Sequence, residues 1–463
     1  MSKQAIVAAI HRRIDDRFEE HLERCRSFLR QPSVSSTGEG VRACAELVGG
    51  MVEGIGGRAT FEGSSTHPIV YGRVDAGRRR NLIIYGMYDV MPVDARNWTH
   101  PPFGAALWTH PKHGLCVVGR GAVNSKGALC GLFNALCAIR EVDRLPLNLT
   151  FTIDGEEEIG SPSFEPFIRA HRHELEGLGV ADFDFSEDPK HNVAMHLGLK
   201  GIVYLELKCR GGKKGGPSEP QHSSASAWIS SPVWRLVHAL STLVDEQEHI
   251  TIPGFYDNVA PISGRDRTLL EELAQVFDEK VFLREIKAVC FKHRIRGVDL
   301  LTKGLYSPII NIDGIHAGYT GTGNKTVLPR VATAKVDIRF GPFLEPDEVL
   351  AKFRRHLAEQ GFDDIEVRVK ESYTWSKTDV DDPLVQRMIR AYEQHGRKPQ
   401  VWPMATWTAP YFVFSRILKL PVVSGGLGYG NRPHSPDEYM TVEGLRAFEK
   451  FVVSFLYELA ARR

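Results

Sequence analysis

Residues 81–94 read Asn81-Leu82-Ile83-Ile84-Tyr85-Gly86-Met87-Tyr88-Asp89-Val90-Met91-Pro92-Val93-Asp94. The apolar run Leu82 to Tyr85, closed by Gly86, predicts a short buried strand. In open α/β sheets, ligands gather at the carboxyl ends of strands. Asp89 stands just past this strand and before Pro92, so it is either a site residue or a turn former.

Two later stretches repeat the pattern. Leu147 to Ile153 predicts a second strand, and it runs into Asp154-Gly155-Glu156-Glu157-Glu158-Ile159-Gly160-Ser161. Three glutamates in a row are usually a solvated face. At a strand end, however, adjacent carboxylates repel unless a cation or a raised pKa relieves them. One can then hold a metal while its neighbour moves protons. Between the two strands, Gly119-Arg120-Gly121-Ala122-Val123-Asn124-Ser125-Lys126-Gly127 forms a loop that opens a helix bearing Leu129, Leu132, Phe133 and Leu136. Such strand–helix–strand alternation predicts an α/β layer with a mainly parallel sheet. Near the C-terminus, His434 follows a glycine-rich run, Gly425 to Gly430, and lies between Pro433 and Pro436. A histidine held in that way is a ligand candidate.

The rest of the chain sets bounds. Lys and Arg number 58 against 57 Asp and Glu, which gives no sign of a nucleic-acid or membrane-surface partner. The start, Met1-Ser2-Lys3-Gln4-Ala5, does not read as a secretory signal, and no apolar run reaches transmembrane length. The 7 cysteines show neither zinc-finger nor redox spacing, so a reducing cytoplasm is expected. Helices are expected over 4–30 and 40–54, and 95–119 is expected to be irregular. From Ile202 the pattern changes to clean alternation, with Val203, Leu205, Leu207 and Cys209 on one face. A helix over 231–247, further helices over 266–289 and strands at 333–340 and 365–369 follow. The expected domains are 1–201 and 373–463, forming one catalytic unit, and 202–372, an inserted α+β unit.

The order of these motifs resembles the co-catalytic zinc amidohydrolases that include aminoacylases, glutamate carboxypeptidases and carnosinases, with the carnosinase-like dipeptidases nearest. Phe28 to Ser35, Ile252 to Tyr256, Thr326 to Pro329 and the strand of Arg339 add to the likeness, which covers nearly the whole chain. The resemblance implies a zinc-aminopeptidase-like domain carrying an inserted lid that dimerises. It implies Asp89 as the residue that orients a ligand, Glu157 as general base, and Glu158 and His434 as metal ligands. It further implies that His222 reaches a neighbouring subunit's site to steady an oxyanion. Arg339 then grips a substrate carboxylate with help from Thr326.

The chain departs from that pattern at the metal ligands. Met87 stands where the family has histidine, Asn124 where it has a bridging aspartate, and Glu187 where it has aspartate, with Asp188 one residue on. A thioether is a poor match for zinc beside oxygen donors, and a neutral amide cannot offset two close dications. The expectation is one divalent ion per chain, zinc or manganese, or none. Residues 403–410 also differ from the family's loop. Three readings follow: a hydrolase of amide bonds in a small carboxylate-bearing substrate; a metal-independent acid/base enzyme (isomerase, cyclase or amide-forming); and a catalytically silent dimer partner.

Overall fold

The computed structural model describes residues 2–212, 214–257 and 262–461. These divide into two units: 1–197 with 377–403 and 409–463, and 198–376 with 404–408. The sequence boundaries at 201 and 372 fall within a few residues of these divisions, and the short piece Met404–Thr408 groups with the smaller unit.

The larger unit is built on strands β1 (Arg58–Gly63), β2 (Pro68–Val74), β3 (Asn81–Met87), β4 (Asn148–Asp154), β5 (Val180–Phe183) and β6 (Val422–Gly425). Their order across the sheet is β1-β2-β4-β3-β5-β6. The β4–β3, β3–β5 and β5–β6 pairs are parallel, and the β1–β2 and β2–β4 pairs antiparallel. Strand β3 lies at the centre because both of its faces are apolar: Leu82, Ile83 and Ile84 are fully buried. Each such side chain contributes about 1.5–3 kcal/mol by leaving water.

Alternation along β3 assigns its two faces. Gly86 faces Leu129, on the helix Lys126–Val142. Tyr85 points to the other side, where its ring meets Phe164, Tyr411 and Phe414 edge-on. The helices Lys3–Asp16, Lys126–Val142 and Val442–Ala460 pack on one another. The single helix expected over 4–30 is two, broken at Arg17, whose φ of −109° and ψ of 10° leave the helical region. The stretch expected to be irregular holds a hairpin, Ala106–His110 with Gly114–Val118.

The smaller unit carries a four-stranded antiparallel sheet. Its order is Ile309–Ala317, Val331–Phe340, Gly201–Arg210, Glu366–Tyr373. Val203, Leu205, Leu207 and Cys209 alternate into a core with Val336, Ile338 and Phe353, as their spacing predicts. The helix expected over 231–247 spans Pro232–Ser241. The edge strand Ile309–Ala317 is largely exposed. Among the described residues no helix is long and apolar enough to cross a membrane.

Candidate active site

Strands β3, β4 and β5 run parallel, so their carboxyl ends emerge together. Beyond β3 the chain is held by Tyr88, whose N–H donates to Asp154 O at 3.0 Å and whose hydroxyl donates to Pro68 O at 2.6 Å. The Tyr88 ring passes so close to the β4 turn that a Cβ on Gly155 would lie 2.2 Å from its hydroxyl. Only glycine fits there, and the acidic turn begins at that point.

Asp89 is fully buried, and its two carboxylate oxygens accept the backbone N–H groups of Glu157 at 3.2 Å and Glu158 at 3.0 Å. Asp89 therefore fixes the acidic turn itself, whereas the resemblance implies that it orients a metal ligand. Burial holds its carboxyl well above the usual range, the charge of Asp154 adds to this, and the Glu158 N–H opposes it. Glu157 is raised in the same sense, by burial first and then by Glu158, Asp89, Asp154 and Asp182.

The loop after Gly119 meets this turn. Asn124 Nδ2 lies 2.8 Å from Glu158 Oε1 and 2.9 Å from His434 Nε2, and His434 Nε2 lies 3.1 Å from Glu158 Oε1. The Glu158 hydrogen bond, opposed by burial, raises the His434 pKa. Three polar atoms thus touch pairwise. With the amide nitrogen inward, Asn124 donates to Glu158, and His434 Nε2 either accepts the second amide N–H or, protonated, donates to Glu158 itself. With the amide rotated, three lone-pair donors converge and call for a cation. The donor set fits one divalent ion held by Asn124, Glu158 and His434, with oxygen and imidazole ligands of the kind zinc or manganese accepts.

A second ion does not fit equally well. Met87 is buried and offers only a thioether. Glu187 is engaged elsewhere and does not join the cluster: Oε1 accepts Arg397 Nε at 2.9 Å and Oε2 accepts the Gly428 N–H at 2.9 Å. Asp188 is likewise occupied, by the N–H groups of Lys190 and Asn192. The expectation that Glu187 serves as a ligand is corrected on this ground. Among the described residues, no three His, Cys, Asp or Glu side chains are grouped to hold a metal.

Strand pairing exposes residues that sequence reading passed over. Tyr85 pairs with Asp182 and with Thr152, and Ser424 pairs with Asp182, so these side chains form one row across the sheet. Two residues on, the same register sets Asp154 beside Met87. Asp184, two residues before Ser186, lies directly after the end of β5, and its N–H donates to Gly425 O at 3.2 Å. Burial pushes Asp184 and Asp154 each up to about 6. Asp182 is pushed up to about 8 by burial and by Asp184, although the Tyr411 hydroxyl donates to it. Among the described residues, the buried Tyr85 hydroxyl has no hydrogen-bond partner.

Glu438 was also overlooked. It is fully buried and accepts Arg120 Nη1 at 2.6 Å. It also accepts the N–H groups of Val123 and Asn124, both at 2.9 Å, and so sets the Asn124 loop. In the smaller unit, His222 Nε2 lies 3.0 Å from Thr326 Oγ1, and its Nδ1 lies 2.9 Å from Ser224 Oγ. Arg339 Nε donates to Asp337 Oδ1 at 2.9 Å. His222 and Thr326 are thus together, with Arg339 on its own strand.

The pattern for peptidase family M20/M25/M40 matches residues 83–458, a span that contains every carboxylate just described. This chain belongs to that family. Over 301 residues it is 28% identical to the beta-Ala-His dipeptidase of Rattus norvegicus, covering 63% of this chain and 58% of that protein. Over 305 residues it is 27% identical to a Cys-Gly metallodipeptidase of Schizosaccharomyces pombe, covering 63% of this chain and 60% of that protein. The chain thus spans somewhat over half the length of the curated relatives it matches. A solved M20 family metallo-carboxypeptidase from Sulfolobus solfataricus superposes with a TM-score of 0.87 at 30% identity, covering 95% of this chain and 99% of that one. Family membership and the α/β domain with its insert agree with the resemblance read from the motifs.

Proposed function

We propose that the chain hydrolyses the amide bond of a small, carboxylate-bearing, dipeptide-like substrate, in a site that holds at most one tightly bound divalent ion. The observation that carries this reading is the contact triangle of Asn124, Glu158 and His434, set beside Glu157 on a turn that Asp89 fixes. An ion bound by the triangle would supply Lewis acidity.

Glu157 takes a proton from the attacking water as its oxygen bonds to the carbonyl carbon. The carbon–nitrogen bond then breaks, and Glu157 delivers that proton to the leaving amine. Burial among carboxylates favours a Glu157 that can keep the proton between these steps. His222, held by Thr326 and Ser224, is the proposed oxyanion donor, and Arg339 the proposed partner of the substrate carboxylate. The exposed edge strand Ile309–Ala317 supports homodimer formation through the insert.

A metal-independent acid/base reaction is the second reading. It is favoured by one observation: Met87 and Asn124 supply a neutral thioether and a neutral amide where the resemblance implies a histidine and a bridging aspartate. The experiment that tests the first reading is turnover of beta-Ala-His and Cys-Gly, chosen from the relatives' substrates, by unmutated protein and by Glu157→Gln. Glu157→Gln is expected to lower turnover by about 100-fold or more, the scale of general acid–base catalysis. Turnover equal in the two proteins would overturn the assignment. Turnover by the unmutated protein that survives a chelator would favour the second reading.

A further inference from the structure

A cavity of about 340 Å³ opens in the larger unit between the tip of the 106–118 hairpin and the start of the helix Val442–Ala460. Small-molecule pockets commonly begin near that size, at about 300 Å³. The cavity takes no part in the proposed reaction, so its chemistry is read from what lines it.

Two of its three carboxylates are already used. Glu187 accepts from Arg397 Nε and from the Gly428 N–H. Asp188 accepts from the N–H groups of Lys190 and Asn192 and from Asn192 Nδ2. Glu443 is 83% exposed and turns toward Arg446 at the rim. The cations are not used up. A guanidinium carries five N–H donors. Arg397 uses Nε on Glu187, and its two Nη groups have no partner among the described residues. The Lys112 ammonium is likewise without one among the described residues. One wall is aromatic: the His113 ring lies 5.0 Å from that of Tyr429 and stacks on His110 at 4.3 Å.

The cavity therefore has spare cationic donors on Arg397 and Lys112 and an aromatic wall, while its least engaged carboxylate, Glu443, stands exposed at the rim beside Arg446. We propose that it binds a small aromatic carboxylate, with the carboxylate on Arg397 and Lys112 and the ring against His113 and Tyr429. The ligand would also touch the segment that carries His434. Gly428 is held by Glu187, Tyr429 O accepts the Thr441 N–H at 2.8 Å, and His434 follows five residues after Tyr429. A ligand on Tyr429 is thus placed to alter how His434 meets Glu158.

The test is calorimetric titration of the full chain with benzoate, using acetate and benzyl alcohol as probes that lack the ring or the charge. Benzoate is expected to bind once per chain and more tightly than either. Lys112→Gln, on an exposed hairpin tip, and Arg397→Lys, which keeps the charge beside Glu187, are each expected to weaken benzoate by about tenfold or more, as for loss of a hydrogen bond to a charged group. Arg339→Gln is expected to leave it unchanged. Unaltered thermal unfolding of both variants separates loss of binding from loss of fold. Benzoate binding that is absent, that survives both cavity variants, or that is lost with Arg339→Gln overturns the proposal. None of these outcomes depends on which reaction the acidic turn performs.

Discussion

His434 and Glu158 stand 3.1 Å apart, Nε2 to Oε1, although 276 residues separate them in the chain, and Asn124 touches both. The contact exists because three independent devices converge. Asp89 pins the turn of Glu158, Glu438 pins the loop of Asn124, and His434 adopts a left-handed φ of 56°.

The Glu438–Arg120 pair is the device that a single change breaks most cleanly. Arg120→Met leaves a buried carboxylate with only two backbone donors. Removing one partner of a buried pair costs about 3–5 kcal/mol. The unfolding midpoint in urea is expected to fall accordingly. Elemental analysis is expected to show weaker metal retention, because the Asn124 loop loses its anchor. An unchanged midpoint would show that Glu438 alone sets the loop.

Acid stability should depend on Glu458. Burial works against its charge, but Lys3, Arg387 and Arg390 outweigh burial and hold its carboxyl down to about 2, from 4.5 unfolded. A depressed folded value contributes stability that is present above pH 4.5 and lost as pH falls toward 2. Glu458→Gln is expected to lose less stability across that window than the unmutated chain, measured by urea unfolding at successive pH values. Parallel curves for the two proteins would contradict the assignment.

Part of this architecture was legible in the sequence and part was not, for physical reasons. Strand β3 could be read because Leu82, Ile83 and Ile84 are buried on both faces and so form a continuous apolar run. The 106–118 hairpin could not, because its first strand alternates between half-buried and exposed residues amid prolines, glycines and histidines. The edge strand Ile309–Ala317 escaped for a similar reason: exposure leaves it no apolar face. Asp184 was missed because its place just past β5 depends on the pairing of β5 with β6, which no local pattern records. Glu438 was missed because a carboxylate gives no sign in sequence of being buried. Its nearness to His434 was the only available hint.

Restoring the two altered ligand positions should restore metal affinity. Met87→His supplies an imidazole at the end of β3, and Asn124→Asp supplies a negative charge that can bridge. The double variant, dialysed against zinc, is expected to hold more metal per chain than the unmutated protein. It is also expected to gain turnover of beta-Ala-His or Cys-Gly. Equal metal content in the two proteins would mean that Met87 and Asn124 do not limit binding.

The most direct measurement is the number of ions per chain. Unmutated protein is dialysed against zinc or manganese, freed of excess and analysed for metal, alongside His434→Ala. With Asn124, Glu158 and His434 as the donor set, the expected result is at most one ion per chain, lost in His434→Ala. Two tightly held ions per chain, both lost on Met87→Ala, would contradict the single-ion site and restore an ordinary two-metal hydrolase.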